Sequence, residues 1–139
     1  MVIDPATEFG KRVLKRLDRE WIIWLVTVRA DGTPQPSPVW FIWEQQSFLV
    51  YSQPDTPKLR NIERNPKVAL HFDGDGRGGD IVTFSGEAEV APDAPPADQV
   101  PAYVAKYDEA IKRIGMNPEY FAKGYSVAIR IRPTLLRGH

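Results

Sequence analysis

The sequence predicts a mainly β fold with flanking helices, built as a six-stranded antiparallel barrel. Three observations carry that expectation. Six runs rich in branched and aromatic residues have the length of strands, helical spacing is confined to a few stretches, and no strand-helix-strand unit repeats along the chain. A parallel sheet is therefore disfavoured. Residues 1–139 are read as one domain, long enough to close a single apolar core.

Taken in order, Pro5 to Arg19 carries Phe9, Val13, Leu14 and Leu17 at helical spacing, with Lys11, Arg12, Lys15, Arg16 and Arg19 on the other side. This is an amphipathic first helix with a solvated basic face. Trp21 to Arg29 is nearly continuous apolar sequence, which predicts a strand buried on much of both faces, ending at the Asp31-Gly32 turn. In Thr33 to Pro38, TPQPSP, three prolines are expected to stop regular pairing, so that the next strand begins at Val39. Val39 to Trp43 and Ser47 to Ser52 flank the polar break Glu44-Gln45-Gln46 and suit a hairpin. A helix starts at Pro57, with Thr56 as its cap, and Asn65-Pro66 ends it.

Lys67 to Phe72 is the fourth strand, with His71 facing away from Leu70 and Phe72. Asp73 to Asp80, DGDGRGGD, lacks the closing Glu of an EF-hand and the Lys of a P-loop, and reads as a hairpin connection. Ile81 to Ala91 sets Val82, Phe84, Gly86, Ala88 and Val90 against Thr83, Ser85, Glu87 and Glu89, a strand with one wet side. Ala97 to Gly115 returns to helical spacing, and Asn117-Pro118 starts a short turn through Phe121. Tyr125 to Arg132 is the last strand.

Composition excludes several functions. The 18 basic and 18 acidic residues cancel, which argues against a dedicated nucleic-acid binder. Without cysteine there are no disulfides and no thiolate metal sites. His71 and His139 lie far apart, which argues against a histidine metal cluster within one subunit. No segment approaches the roughly 18 apolar residues of a membrane span. A soluble, cytoplasmic protein with no membrane partner is expected.

The chemistry concentrates at the helix starting at Pro57. Lys58 and Arg60 occupy its first turn, where the helix dipole disfavours cations by roughly 0.3–1 kcal/mol each. A bound anion reverses that penalty. Free amides, the hydroxyls of Ser52 and Thr56, the side chains of Lys58 and Arg60 and the amide of Asn61 are expected to converge on a phosphate. The alternative is a solvated basic face balanced by Asp55 and Glu63.

The succession PVWF, LVYS, TPKLRNI, NPKVALHF and FSGEAEV resembles the flavin-binding split β-barrel proteins related to pyridoxamine 5'-phosphate oxidase. The GRGGDIV stretch and the RIRPTLLRG ending resemble the subgroup of reductases that use the deazaflavin F420. The resemblance implies a six-stranded Greek-key split barrel that pairs as a homodimer, with two cofactors at the interface. It places the phosphate residues on Ser52, Thr56 and Lys58, with Arg60 and Asn61 close by. It also lays Pro38, Val39, Trp40 and Phe41 along the cofactor ring. Tyr51, beside Ser52, completes the expected cofactor-binding set. Ser37-Pro38 stands where the oxidase proper has an arginine, and the RGH terminus lacks its pyridoxal phosphate-binding end, so vitamin B6 oxidation is disfavoured.

The resulting expectation is an oxidoreductase using F420, or alternatively FMN, on a small organic substrate. The alternatives are a non-enzymatic flavin, deazaflavin or haem-binding protein and an oxidase of the pyridoxamine phosphate type. No catalytic acid or base is assigned, since structural roles suffice for Tyr51, His71 and Arg137.

Overall fold

A computed structural model describes residues 1–139. Seven strands form one antiparallel sheet in the order β2-β1-β5-β6-β7-β4-β3. They are β1 (Ile22–Val28), β2 (Pro34–Trp40), β3 (Ile42–Glu44), β4 (Ser47–Ser52), β5 (Lys67–His71), β6 (Val82–Val90) and β7 (Val127–Gly138). The sheet curls into a half-barrel of seven strands, which corrects the expected six-stranded Greek-key barrel. No helix is long and apolar enough to cross a membrane.

The extra strand arises where a break was expected. β2 contains all three prolines of TPQPSP and pairs with β1 from Ile22↔Trp40 to Val28↔Pro34. Prolines 34, 36 and 38 alternate, and alternate residues direct their amides to the same side of a strand. All three missing donors therefore fall on the free edge, while Gln35, Ser37 and Val39 keep the donors that can face β1.

The expected strand from Val39 to Trp43 is divided. Trp40 ends β2 at one edge of the sheet, and Ile42 begins β3 at the other, paired with β4 from Ile42↔Leu49 to Glu44↔Ser47. Phe41 alone joins the two edges. Its peptide groups leave the ladder and are satisfied by a side chain: its N–H donates to Tyr107 Oη at 2.8 Å. The Tyr107 hydroxyl reaches both Phe41 O (2.9 Å) and Trp21 O (2.7 Å). Lys106 Nζ donates to Phe41 O at 3.0 Å and to Leu17 O at 3.3 Å.

Two apolar cores lie on the two sides of this wall. The inner one joins Ile23, Leu25, Phe41, Phe48, Val50, Leu70, Phe84, Ile129 and Ile131 to Val13 and Leu17 of helix α1 (Glu8–Arg19) and Leu59 and Ile62 of α2 (Pro57–Arg64). The outer one packs Ile42, Leu49, Tyr51 and Ala128 against α3 (Pro101–Arg113) and α4 (Pro118–Gly124). A single 3-10 turn, Ala97–Gln99, precedes Pro101, so the expected helix from Ala97 starts later.

β4, lying between both cores, is the strand buried on each face. β1 is not, contrary to expectation. Ile23, Leu25 and Thr27 point inward, but Ile22, Trp24, Val26 and Val28 remain partly or largely exposed, because α3 and α4 cover β4 instead. β7 runs to Gly138 rather than stopping at Arg132, paired with β6 as far as Val82↔Gly138.

Candidate functional site

A cleft of about 370 Å³ opens where β2 and β4 end and α2 begins, with α3 and α4 as its far wall. Seven of the ten expected site residues line it: Pro38, Val39 and Trp40 from β2, Tyr51 and Ser52 from β4, and Thr56 and Lys58 from the start of α2. Residues distant in sequence meet here because the sheet curls, bringing the β2 edge beside β4.

The start of α2 departs from the expected cap. Thr56 makes no side-chain hydrogen bond to the helix amides. Its hydroxyl lies 3.1 Å from Ser52 Oγ, which itself donates to Gln53 O at 2.8 Å, so Thr56 is the donor of the pair. Lys58 is half-buried in the cleft wall, and burial alone lowers its pKa below the ordinary lysine value. No carboxylate compensates it.

Three expected residues lie elsewhere. The ring of Phe41 is wholly buried in the inner core. Arg60 is exposed and donates to Asp55 O at 2.8 Å, closing its own loop. Asn61 is buried and donates to Thr27 Oγ1 at 2.9 Å and Gln35 Oε1 at 3.0 Å, pinning α2 to β1 and β2. His71 is remote, stacked with Trp24 at 6.3 Å.

Trp40 contributes a rigid aromatic part of the wall. Its ring stacks on Tyr107 at 4.7 Å and on Phe121 at 5.4 Å. Tyr51 Oη donates to Pro95 O at 2.5 Å, and burial together with nearby Glu44 pushes its pKa up to about 12. It stays a neutral phenol with its proton committed. The far wall, Tyr103, Ile114, Phe121 and Tyr125, was not anticipated. The signal available in the sequence was Tyr103 preceding Tyr107 by one helical turn, phenols on an apolar stripe.

A larger opening of about 840 Å³ lies beside Ile81, Arg137 and His139. It brings together none of the expected residues.

A family model described as pyridoxamine 5'-phosphate oxidase matches residues 9–139. Among solved structures, an F420 reductase is 27% identical with a TM-score of 0.65, over 88% of this chain and 94% of that one. General Stress Protein 26 from Bacillus anthracis is 24% identical with a TM-score of 0.64, over 88% and 87%. The haem storage protein HutZ from Vibrio cholerae is 18% identical with a TM-score of 0.68, over 95% of each chain. The last two likenesses concern the fold alone. No protein of curated function matches the sequence.

Proposed function

Because the chain belongs to the pyridoxamine 5'-phosphate oxidase family, we propose that it is an oxidoreductase whose cleft holds a deazaflavin of the F420 type, with FMN as the alternative. The observation that carries this reading is Lys58: a half-buried cation without a counter-charge, beside two hydroxyls and the start of a helix. A phosphate supplies the missing charge, and the Ser52 and Thr56 hydroxyls, whose protons go to Gln53 O and to Ser52 Oγ in the free protein, turn to donate to it when it binds. Trp40, its ring stacked on Tyr107 and on Phe121, gives the cleft a rigid aromatic wall beside which a planar ring can pack. When bound, such a cofactor supplies the hydride chemistry. The chain's own work is to hold the phosphate, orient the ring and exclude water.

The likeness to an F420 reductase at 27% identity favours the deazaflavin. Ser37-Pro38 in place of the oxidase arginine points the same way. Haem storage is disfavoured: the only haem-ligating residue type among the twelve lining residues is tyrosine, and burial raises the pKa of Tyr51 and of Tyr103, opposing the phenolate that iron ligation needs.

The test is a fluorescence titration of ligand-free protein with F420 and with FMN at low and high salt, followed by turnover with an electron donor. Binding of F420 with steady turnover supports the reading. Tight FMN binding with no detectable F420 binding moves the protein to the FMN alternative, and binding without turnover removes the enzyme assignment.

A further inference from the structure

Two buried side-chain hydroxyls have no hydrogen-bond partner, those of Ser37 and Tyr103. Ser37 sits on β2 but not in the cleft lining, whereas Tyr103 forms part of the cleft wall while only 1% exposed. We propose that the Tyr103 hydroxyl is the donor kept for a carbonyl oxygen of the heterocycle seated in the cleft, an assignment that rests on the cofactor reading above.

Native interiors rarely leave a buried hydroxyl orphaned, because its desolvation is then uncompensated. The neighbouring phenols offer little relief. Tyr107, 4.9 Å away between ring centres, divides its hydroxyl between Phe41 and Trp21, and Tyr51, 5.1 Å away, gives its proton to Pro95 O. Burial raises the Tyr103 pKa far above the ordinary phenol value, so the group stays protonated and acts as a donor. Ser52 ends β4, Thr56 immediately precedes α2 and Lys58 lies in its first turn, whereas Tyr103 belongs to α3. A ligand anchored by its phosphate at the start of α2 and lying along the cleft would have its ring within reach of the wall that carries Tyr103. Flavin and deazaflavin rings share their pyrimidine carbonyls, so the contact serves either cofactor.

The experiment compares wild type, Tyr103→Phe and Lys58→Ala. Without cofactor, Tyr103→Phe is expected to melt at or above the wild-type temperature, since it deletes an unpaired group. Its affinity for the cofactor that wild type binds should fall about fivefold to tenfold, the worth of one hydrogen bond. The absorption band of the bound ring should shift as well. Unchanged affinity and spectrum, or a cofactor-free variant less stable than wild type, overturns the assignment. If Lys58→Ala weakens binding and Tyr103→Phe does not, the cofactor reading stands and this one falls. If wild type binds neither F420 nor FMN, both fall.

Discussion

Lys58 is charged, half-buried and unopposed, so the free protein carries a cost that an anion removes. Lys58→Ala should lower cofactor affinity by about 1.5–3 kcal/mol, the range for a charge-assisted bond, while leaving the ligand-free melting temperature unchanged or raised. Because burial depresses its pKa, cofactor affinity is expected to fall as pH rises through that lowered value. Titrations across alkaline pH, with Lys58→Arg as the variant that stays charged, check this. Lys106 offers a separate measurement. Burial brings its pKa down to about 8, partly offset by Asp18 and Glu20, as its ammonium lies 3.7 Å from the centre of the Phe41 ring. An unfolded lysine titrates near 10.4, so at about pH 8 to 10 the unfolded chain binds more protons and stability rises with pH. Below about pH 8 both states are protonated and the full cost of burying the charge is present. Denaturant midpoints at about pH 7 and 9.5 should therefore increase in wild type relative to Lys106→Met. A parallel pH dependence in the two proteins would refute the assignment.

The β3–β4 hairpin closes through Gln45 and Gln46, both in the left-handed region at φ 51° and 59°. Two-residue hairpin turns of this shape favour Asn-Gly, and a bulky residue there is strained. Replacing the pair with Asn-Gly is expected to stabilise the protein by about 1 kcal/mol, read as a higher denaturant midpoint. The pair was legible as a polar break, because turn polarity is local. β2 was not legible, because the rule that proline interrupts pairing assumes partners on both sides of the strand. Whether a strand has one partner or two is settled by residues far along the chain. Phe41 was missed as a junction for the same reason: nothing within VWFIW marks the point where the chain changes sheet edge. The meeting of Ser52, Thr56 and Lys58 in one cleft was readable because they lie within one short stretch. Tyr103 and Tyr125 were not, since only the packing of α3 and α4 brings them there.

At the scale of the molecule, β1 turns Trp24, Val26 and Val28 outward, half-buried, with Ile22 at 39% exposure. An apolar strip of this kind is expected to be covered by a second copy of the chain, twofold pairing being the commonest closed arrangement. Light scattering at micromolar concentration should give twice the chain mass, and Val26→Lys should shift it to the monomer. A wild-type monomer would refute the pairing and the shared cofactor cleft with it. The Phe41 junction has a consequence for the order in which the structure opens. Sheet hydrogen bonds protect most of the barrel, but the Phe41 amide is protected by a phenol carried on α3. Its exchange with solvent deuterium therefore reports the detachment of that helix rather than the melting of any strand. Tyr107→Phe should speed exchange at Phe41 while leaving protection at Leu49 and Leu70 near its wild-type level. The wall of the barrel would then have a latch with its own opening equilibrium, weaker than the fold that it closes.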